Sequence, residues 1–291
     1  MSAAGDLSNA ADQSADRSLE QAARVAAQQA LGEDLGGSGD VTGRAFAGRG
    51  VAHIVARQAG VLSGTAALAA AAALVDSSLT VEMAHGDGDR FVAGDTIAVL
   101  SGGLASLFAL ERTGLNFLAR LSGVATLTAA YVAETSGTVA RIAATRKTTP
   151  GLRVLEKAAV VHGGGMPHRG GLFDGAMIKD NHVAAAGSIA AAIELVGAQL
   201  SPDLTLEVEV DTLGQLREAL AAGVGLILLD NMDLDTVRAA VAETAGRAVL
   251  EVSGGVRLDQ VRSYAEAGVD IISVGALTTR APWIDLSQEL R

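Results

Sequence analysis

Residues 204–276 read LTLEVEVDTLGQLREALAAGVGLILLDNMDLDTVRAAVAETAGRAVLEVSGGVRLDQVRSYAEAGVDIISVGA. Four continuous apolar runs, Leu204–Val210, Leu226–Leu229, Ala248–Val252 and Asp270–Val274, alternate with stretches of helical spacing at Leu213–Ala222, Leu234–Thr244 and Leu258–Ala267. Runs of Val, Ile and Leu without polar alternation are buried on both faces, the pattern of parallel strands joined by crossover helices. Two more runs lie upstream, Thr138–Ala143 and Phe173–Ile178, with helices expected over Leu152–His162 and Ser188–Leu200. Six such units in series predict a βα barrel or a doubly wound sheet.

Nearer the start the pattern changes. Residues 18–35 predict an amphipathic helix that stops at LGGSGD. His53–Gln58 and Thr96–Leu100 read as short strands, and HGDGDRFVAGD (85–95) carries turn residues. Apolar residues recur at helical spacing from Leu104 to about Glu134, as in one long helix or two joined ones. A smaller α/β domain is therefore expected over 18–127. The first 17 residues, MSAAGDLSNAADQSADR, are polar, lack the apolar stretch of a secretion signal, and predict a disordered start.

Composition narrows the function. The chain has 291 residues, a net charge of −11 and no cysteine. Disulfides, thiolate metal sites and a Cys nucleophile are excluded. An acidic surface repels nucleic acid and anionic membrane, and no strongly apolar run of about 18 residues escapes interruption by Gly or charge. A cytoplasmic protein with neither partner is expected. Yet from Arg141 to Lys179 seven cations face two acids, and all three lysines of the chain, Lys147, Lys157 and Lys179, fall in that window. A compact ammonium is not interchangeable with the guanidinium used elsewhere.

The strand ends carry polar groups in an ordered series: Arg146-Lys147, then Lys179-Asp180-Asn181-His182, Glu207 and Glu209, Asp230-Asn231, Ser253-Gly254-Gly255 and Gly275-Ala276. In parallel α/β folds the C-terminal strand ends share one face and bear the site. Gly-rich ends on the last two strands suit a phosphate. Glu209 and Asp230 offer hard oxygens for Mg²⁺ bound through substrate phosphates, or salt bridges to Lys147 or Lys179. Arg146, Arg169 and Lys179 suit a substrate with several negative charges. HGGGMPHRGG (162–171) reads as a flexible loop bringing His168 and Arg169 over the site, and Lys157 as a surface or packing residue in mid-helix.

These residues resemble a known family. ERTGLNFLARLSGVAT (111–126), ATRKTTPGLRVLEKAAVVHGGGMPHRGGLFDGAMIKDNHV (144–183), LEVEV (206–210), LLDN (228–231), LEVSGGV (250–256) and ISVGALT (272–278) are similar to the motif series of quinolinate phosphoribosyltransferases. The resemblance spans about 19–291 and is most specific over 144–183. It implies an N-terminal α/β sandwich domain over 18–127, with the tail 277–291 packing back on it. It implies a C-terminal six- or seven-stranded parallel βα barrel over 128–276. It further implies a homodimer, or a higher oligomer, with shared active sites. The implied reaction joins quinolinate to phosphoribosyl pyrophosphate, with Mg²⁺, giving nicotinate mononucleotide, pyrophosphate and CO2. By matching position, Arg146, His168, Arg169 and Lys179 resemble the quinolinate-binding group, joined by Arg112 from the second copy. Lys147, Glu209 and Asp230 resemble the catalytic group, the carboxylates facing ribose and Mg²⁺. Ser253, Gly254, Gly255, Gly275 and Ala276 resemble the 5′-phosphate cradle. Thr279 stands where the family often has His. Other readings are a related phosphoribosyltransferase of a molybdate-transport-linked branch, a Schiff-base barrel lyase using Lys179, and a non-catalytic binder of a phosphorylated anion.

Overall fold

The computed structural model describes the backbone from Ala3 and side chains from Arg17 to Arg291. The expectation of disorder over 1–17 falls almost wholly outside the described side chains. In chain order the elements are α1 (Ala3–Leu35), β1 (Arg49–Ala56), β2 (Gly60–Val61), α2 (Thr65–Val75), β3 (Thr80–Met83), β4 (Arg90–Phe91), β5 (Thr96–Gly103), α3 (Leu104–Glu134), β6 (Arg141–Ala143) and α4 (Arg153–His162). There follow β7 (Ala176–Ile178), α5 (Asp180–Ala186), α6 (Ile189–Gly197), β8 (Leu206–Val210), α7 (Leu213–Ala221), β9 (Leu226–Asp230), α8 (Leu234–Thr244), β10 (Val249–Ser253), α9 (Leu258–Ala267), β11 (Ile271–Ser273), α10 (Ala276–Thr279) and β12 (Leu286–Leu290).

The chain forms two compact units. One holds Met1–Leu127, Thr149–Gly164 and Ala281–Arg291; the other holds Thr128–Thr148 and Gly165–Arg280. The segment with α4 was expected among the barrel residues and groups instead with the first unit. Its Glu156 is fully buried there, bonded to Arg120 of α3.

The first unit carries an antiparallel sheet in the order β12-β1-β5-β3 and a small β2-β4 pair. The last strand closes it, with Ala52 opposite Leu290 and Ala56 opposite Leu286. Ile54, Ile97 and Leu100 from the sheet pack with Leu68, Leu107, Leu110, Leu118 and Leu121 from the helices, all fully buried. By length and composition α3 is apolar enough to cross a membrane, but 61% of that window is buried inside the protein, as in a core helix.

The second unit is a parallel sheet of six strands in the order β6-β11-β10-β9-β8-β7. Helix boundaries follow local chemistry. Ser188, Thr212 and Asp233 each accept from a backbone N–H three residues on, and Gly187 and Gly268 end their helices in the left-handed conformation. Val208, Ile227, Leu229, Val252 and Ile272 fill the helix-facing side. Strand register puts the opposite set on one face: Glu209 aligns with Leu228, Leu228 with Glu251, Asp230 with Ser253 and Glu251 with Ile271. Met166 adds an isolated parallel bridge to Ala143 beside β6. Two residues later, His168 comes within 3.6 Å of Glu207 on β8. In a flat sheet β6 and β8 would stand about 19 Å apart, four strand spacings. The strands therefore curl into an α/β barrel whose interior is that polar face.

Candidate active site

The barrel interior opens into a cavity of about 360 Å³, lined among others by Arg146, Lys147, His168, Arg169, Lys179, Glu209, Asp230, Ser253, Gly254 and Gly255. All lie in the second unit. Ten of the positions picked out at strand ends and in the 162–171 segment thus meet in one place, because inward residues of successive parallel strands must converge.

The cations come from the ends of β6 and β7 and from the 162–171 segment, and the carboxylates from the adjacent strands β8, β9 and β10. Lys179 Nζ is ion-paired with Glu209 Oε2. Asn231 donates to Asp230 Oδ2 at 2.6 Å, and its backbone N–H donates to the Ser253 carbonyl at 3.0 Å. Gly254, at φ +103°, lies against this corner, and an added Cβ would come within 2.7 Å of the Asn231 nitrogen. Only glycine fits both the angle and the space. The Lys147 carbonyl accepts from Thr278 Oγ1 at 2.6 Å, and a Cβ on Gly275 would lie 3.2 Å from Lys147 Cδ. Lys147 and Arg169 form no ion pair among the described residues, so both charges are available to a ligand.

The segment 162–171, expected to be flexible, is tied down. Met166 donates to the Ile142 carbonyl at 2.8 Å and accepts from Ala144 at 2.9 Å, and Gly171 N–H donates to Asp174 at 2.9 Å. His168 adopts φ +51°, a conformation rarely held by residues other than glycine. Its Nε2 lies 3.1 Å from Glu251 Oε2 and 3.6 Å from Glu207 Oε2. Both carboxylates are buried, at 2% and 1% exposure for Glu207 and Glu251. Sequence reasoning put Glu207 on the inner face but missed the pairing with Glu251. The signal was present: Glu251 stands two residues before Ser253, so it faces the same way.

Burial, then the neighbouring Glu251, pushes the Glu207 carboxyl up to about 8, against the pull of His168, Arg169 and Lys179. The folded chain thus keeps a proton that the unfolded chain, with an ordinary value of 4.5, has released. Stability conferred by that proton is full below about pH 4.5 and falls as pH rises toward about 8. Glu207→Gln is expected to flatten this slope in urea midpoints measured between those limits. An unchanged slope would show that Glu207 holds no such proton.

Not every expected residue lines the cavity. Arg112 is an exposed residue of α3, in the first unit. Gly275 and Ala276 sit at the start of α10, outside the lining set. Thr279 Oγ1 donates to the Gly275 carbonyl at 3.0 Å within its own turn. Lys157, read as a surface or packing residue, is buried. Met177 and Ser273 line the cavity without having been picked out.

Comparison with known proteins agrees with this geometry. The model of the quinolinate phosphoribosyl transferase N-terminal domain matches residues 40–122, and that of the C-terminal domain matches 124–289. The chain belongs to the quinolinate phosphoribosyltransferase family. Membership makes it a pentosyltransferase. A nicotinate-nucleotide pyrophosphorylase [carboxylating] of Mycobacterium leprae is 42% identical, over 92% of this chain and 97% of that one. A probable nicotinate-nucleotide pyrophosphorylase [carboxylating] of Synechocystis is also 42% identical, over 90% of each. Among solved structures, the nicotinate-nucleotide pyrophosphorylase from Francisella tularensis superposes with a TM-score of 0.90 at 34% identity, covering 94% of this chain and 97% of that one.

Proposed function

We propose that this chain transfers phosphoribosyl from phosphoribosyl pyrophosphate to quinolinate with decarboxylation, giving nicotinate mononucleotide, pyrophosphate and CO2 for NAD biosynthesis. The observation that carries this reading to the site is the cation set. Arg146, Lys147, Arg169 and Lys179 line one cavity in a chain of net charge −11. Quinolinate holds two adjacent carboxylates, and removing both from water needs several close cations. As pyrophosphate leaves, positive charge develops on the ribose, and Glu209 and Asp230 stabilise it. Lys147 offsets charge on the departing pyrophosphate. The ring nitrogen forms the new bond to ribose and becomes positive. Loss of CO2 then leaves an electron pair beside that nitrogen, which takes up a proton. Ser253, Gly254, Gly255, Gly275 and Ala276 are assigned to the 5′-phosphate.

Mg²⁺ fits Glu209 and Asp230 as donors. Among the described residues the one trio of His or carboxylate ligand atoms gathered within 4.8 Å is His168, Glu207 and Glu251. Glu209 and Asp230 would hold such a cation, with substrate oxygens and water supplying the rest of its ligands, the habit of Mg²⁺. When bound, it supplies charge neutralisation at the pyrophosphate. We assign Arg112 to the site of a second copy, in a cytoplasmic homodimer. The Schiff-base alternative loses support because an ion-paired ammonium is no nucleophile.

The test is pyrophosphate release from phosphoribosyl pyrophosphate with either pyridine acid. Quinolinate is expected to exceed nicotinate in kcat/KM by about 100-fold or more, one lost charged contact being worth that much. EDTA is expected to abolish turnover and Mg²⁺ to restore it. Equal use of nicotinate defeats the substrate assignment, and full activity in metal-free buffer defeats the metal.

A further inference from the structure

We propose that Glu251 is a positioning residue for Arg169, acting through the imidazole of His168. The proposal rests on reading the cavity as the quinolinate site. A carboxylate on the wall of a pocket for a dianion repels the ligand unless it is engaged elsewhere. Glu251 is engaged: its Oε2 lies 3.1 Å from His168 Nε2. The other ring nitrogen, Nδ1, accepts the backbone N–H of Arg169 at 2.8 Å. An accepting Nδ1 carries no proton, so the ring hydrogen sits on Nε2 and is donated to Glu251. Both nitrogens are therefore spent on the protein, one at each end of a relay from β10 to the Arg169 main chain.

The relay holds an unusual backbone. His168 sits at φ +51°. A residue other than glycine keeps such a conformation only where its surroundings fix it. Downstream of that corner, the Arg169 guanidinium donates to the Gly171 carbonyl at 3.2 Å and contacts Met177 Sδ at 3.2 Å. Those neutral partners orient the guanidinium without cancelling its charge. Loss of Glu251 frees the ring to turn, releases the Arg169 amide, and lets the corner relax toward an ordinary conformation. The cation then leaves its place in the wall.

Three variants test it: Glu251→Gln, which keeps an acceptor oxygen, Glu251→Leu, which removes it, and His168→Phe, which keeps a ring without nitrogens. Quinolinate binding alone is followed by calorimetry, and KM is measured for both substrates. Glu251→Leu and His168→Phe are each expected to raise quinolinate Kd and KM about tenfold or more, with phosphoribosyl pyrophosphate KM within about twofold. Glu251→Gln is expected to stay within about threefold of wild type, and the double variant Glu251→Leu/His168→Phe to be no worse than either single change, since the two act in series. Should Glu251→Leu fail to fold, His168→Phe and Glu251→Gln still decide. Equal loss for both substrates, a fall in kcat alone, a Gln variant as damaged as the Leu variant, or additive losses overturn the proposal. Failure of the functional reading looks different: the wild-type chain itself neither binds nor turns over quinolinate.

Discussion

Arg169→Ala is expected to cost about 2–5 kcal/mol in transition-state binding of quinolinate, a fall in kcat/KM of roughly 30-fold to several thousand-fold. The range follows from where the charge stands. The guanidinium lines the cavity, has only the Gly171 carbonyl and Met177 Sδ as hydrogen-bond partners, and makes no ion pair among the described residues. Its charge is therefore uncommitted until an anion arrives. A substrate carboxylate placed there has already lost water, so deleting the partner leaves a desolvated charge unpaired rather than merely removing one contact. Lys179 makes an instructive contrast, because Glu209 shares its charge before any ligand binds. Steady-state kinetics with each substrate varied in turn provides the measurement. The loss should fall on quinolinate, with phosphoribosyl pyrophosphate KM nearly unchanged. Equal weakening of both substrates would place Arg169 away from the pyridine acid.

The parallel half of this chain was readable because its local and global signals agree. Each expected run overlaps an observed strand, from β6 through β11, with β9 and β10 running one residue further, to Asp230 and Ser253, and each strand ends near the chemistry assigned to it. Period-two alternation placed Glu207 and Glu209 on one face, and the register bears that out. What could not be read depends on partners far apart in sequence. β12 pairs with β1 across 230 residues or more, and nothing within LSQEL announces a strand with that mate. The grouping of Thr149–Gly164 with the first unit is set by contacts, whereas sequence order alone put it in the barrel. Gly-rich composition suggested a loose loop over 162–171. The composition says nothing about Met166 bonding to β6 or His168 bonding to the buried Glu251 with Glu207 beside it. Those acids were legible one at a time, as inward positions, but their convergence needed the curvature of the sheet.

Arg120→Ala is expected to destabilise the first unit by about 3–5 kcal/mol. Glu156 lies on α4 with no exposed surface. Its Oε1 accepts from Arg120 Nη2 at 2.7 Å, from Arg120 Nε at 3.1 Å and from Thr149 Oγ1 at 2.7 Å, while Oε2 accepts the Thr149 backbone N–H at 2.9 Å. Arg120 also donates to the Ala281 carbonyl at 3.3 Å. One ion pair thus joins α3, the Thr149 turn, α4 and the start of the C-terminal segment. Truncating the arginine leaves a carboxylate out of water with two neutral donors and no counter-charge, which is far costlier than losing an exposed pair. The double change Arg120→Met/Glu156→Leu removes both charges and fills the space with apolar atoms. It should cost less than Arg120→Ala alone, because no ion is stranded. Urea denaturation of the three proteins measures this directly. A loss under about 1 kcal/mol for Arg120→Ala, or a double variant less stable than the single, would mean that the pair is not what ties α4 into the first unit.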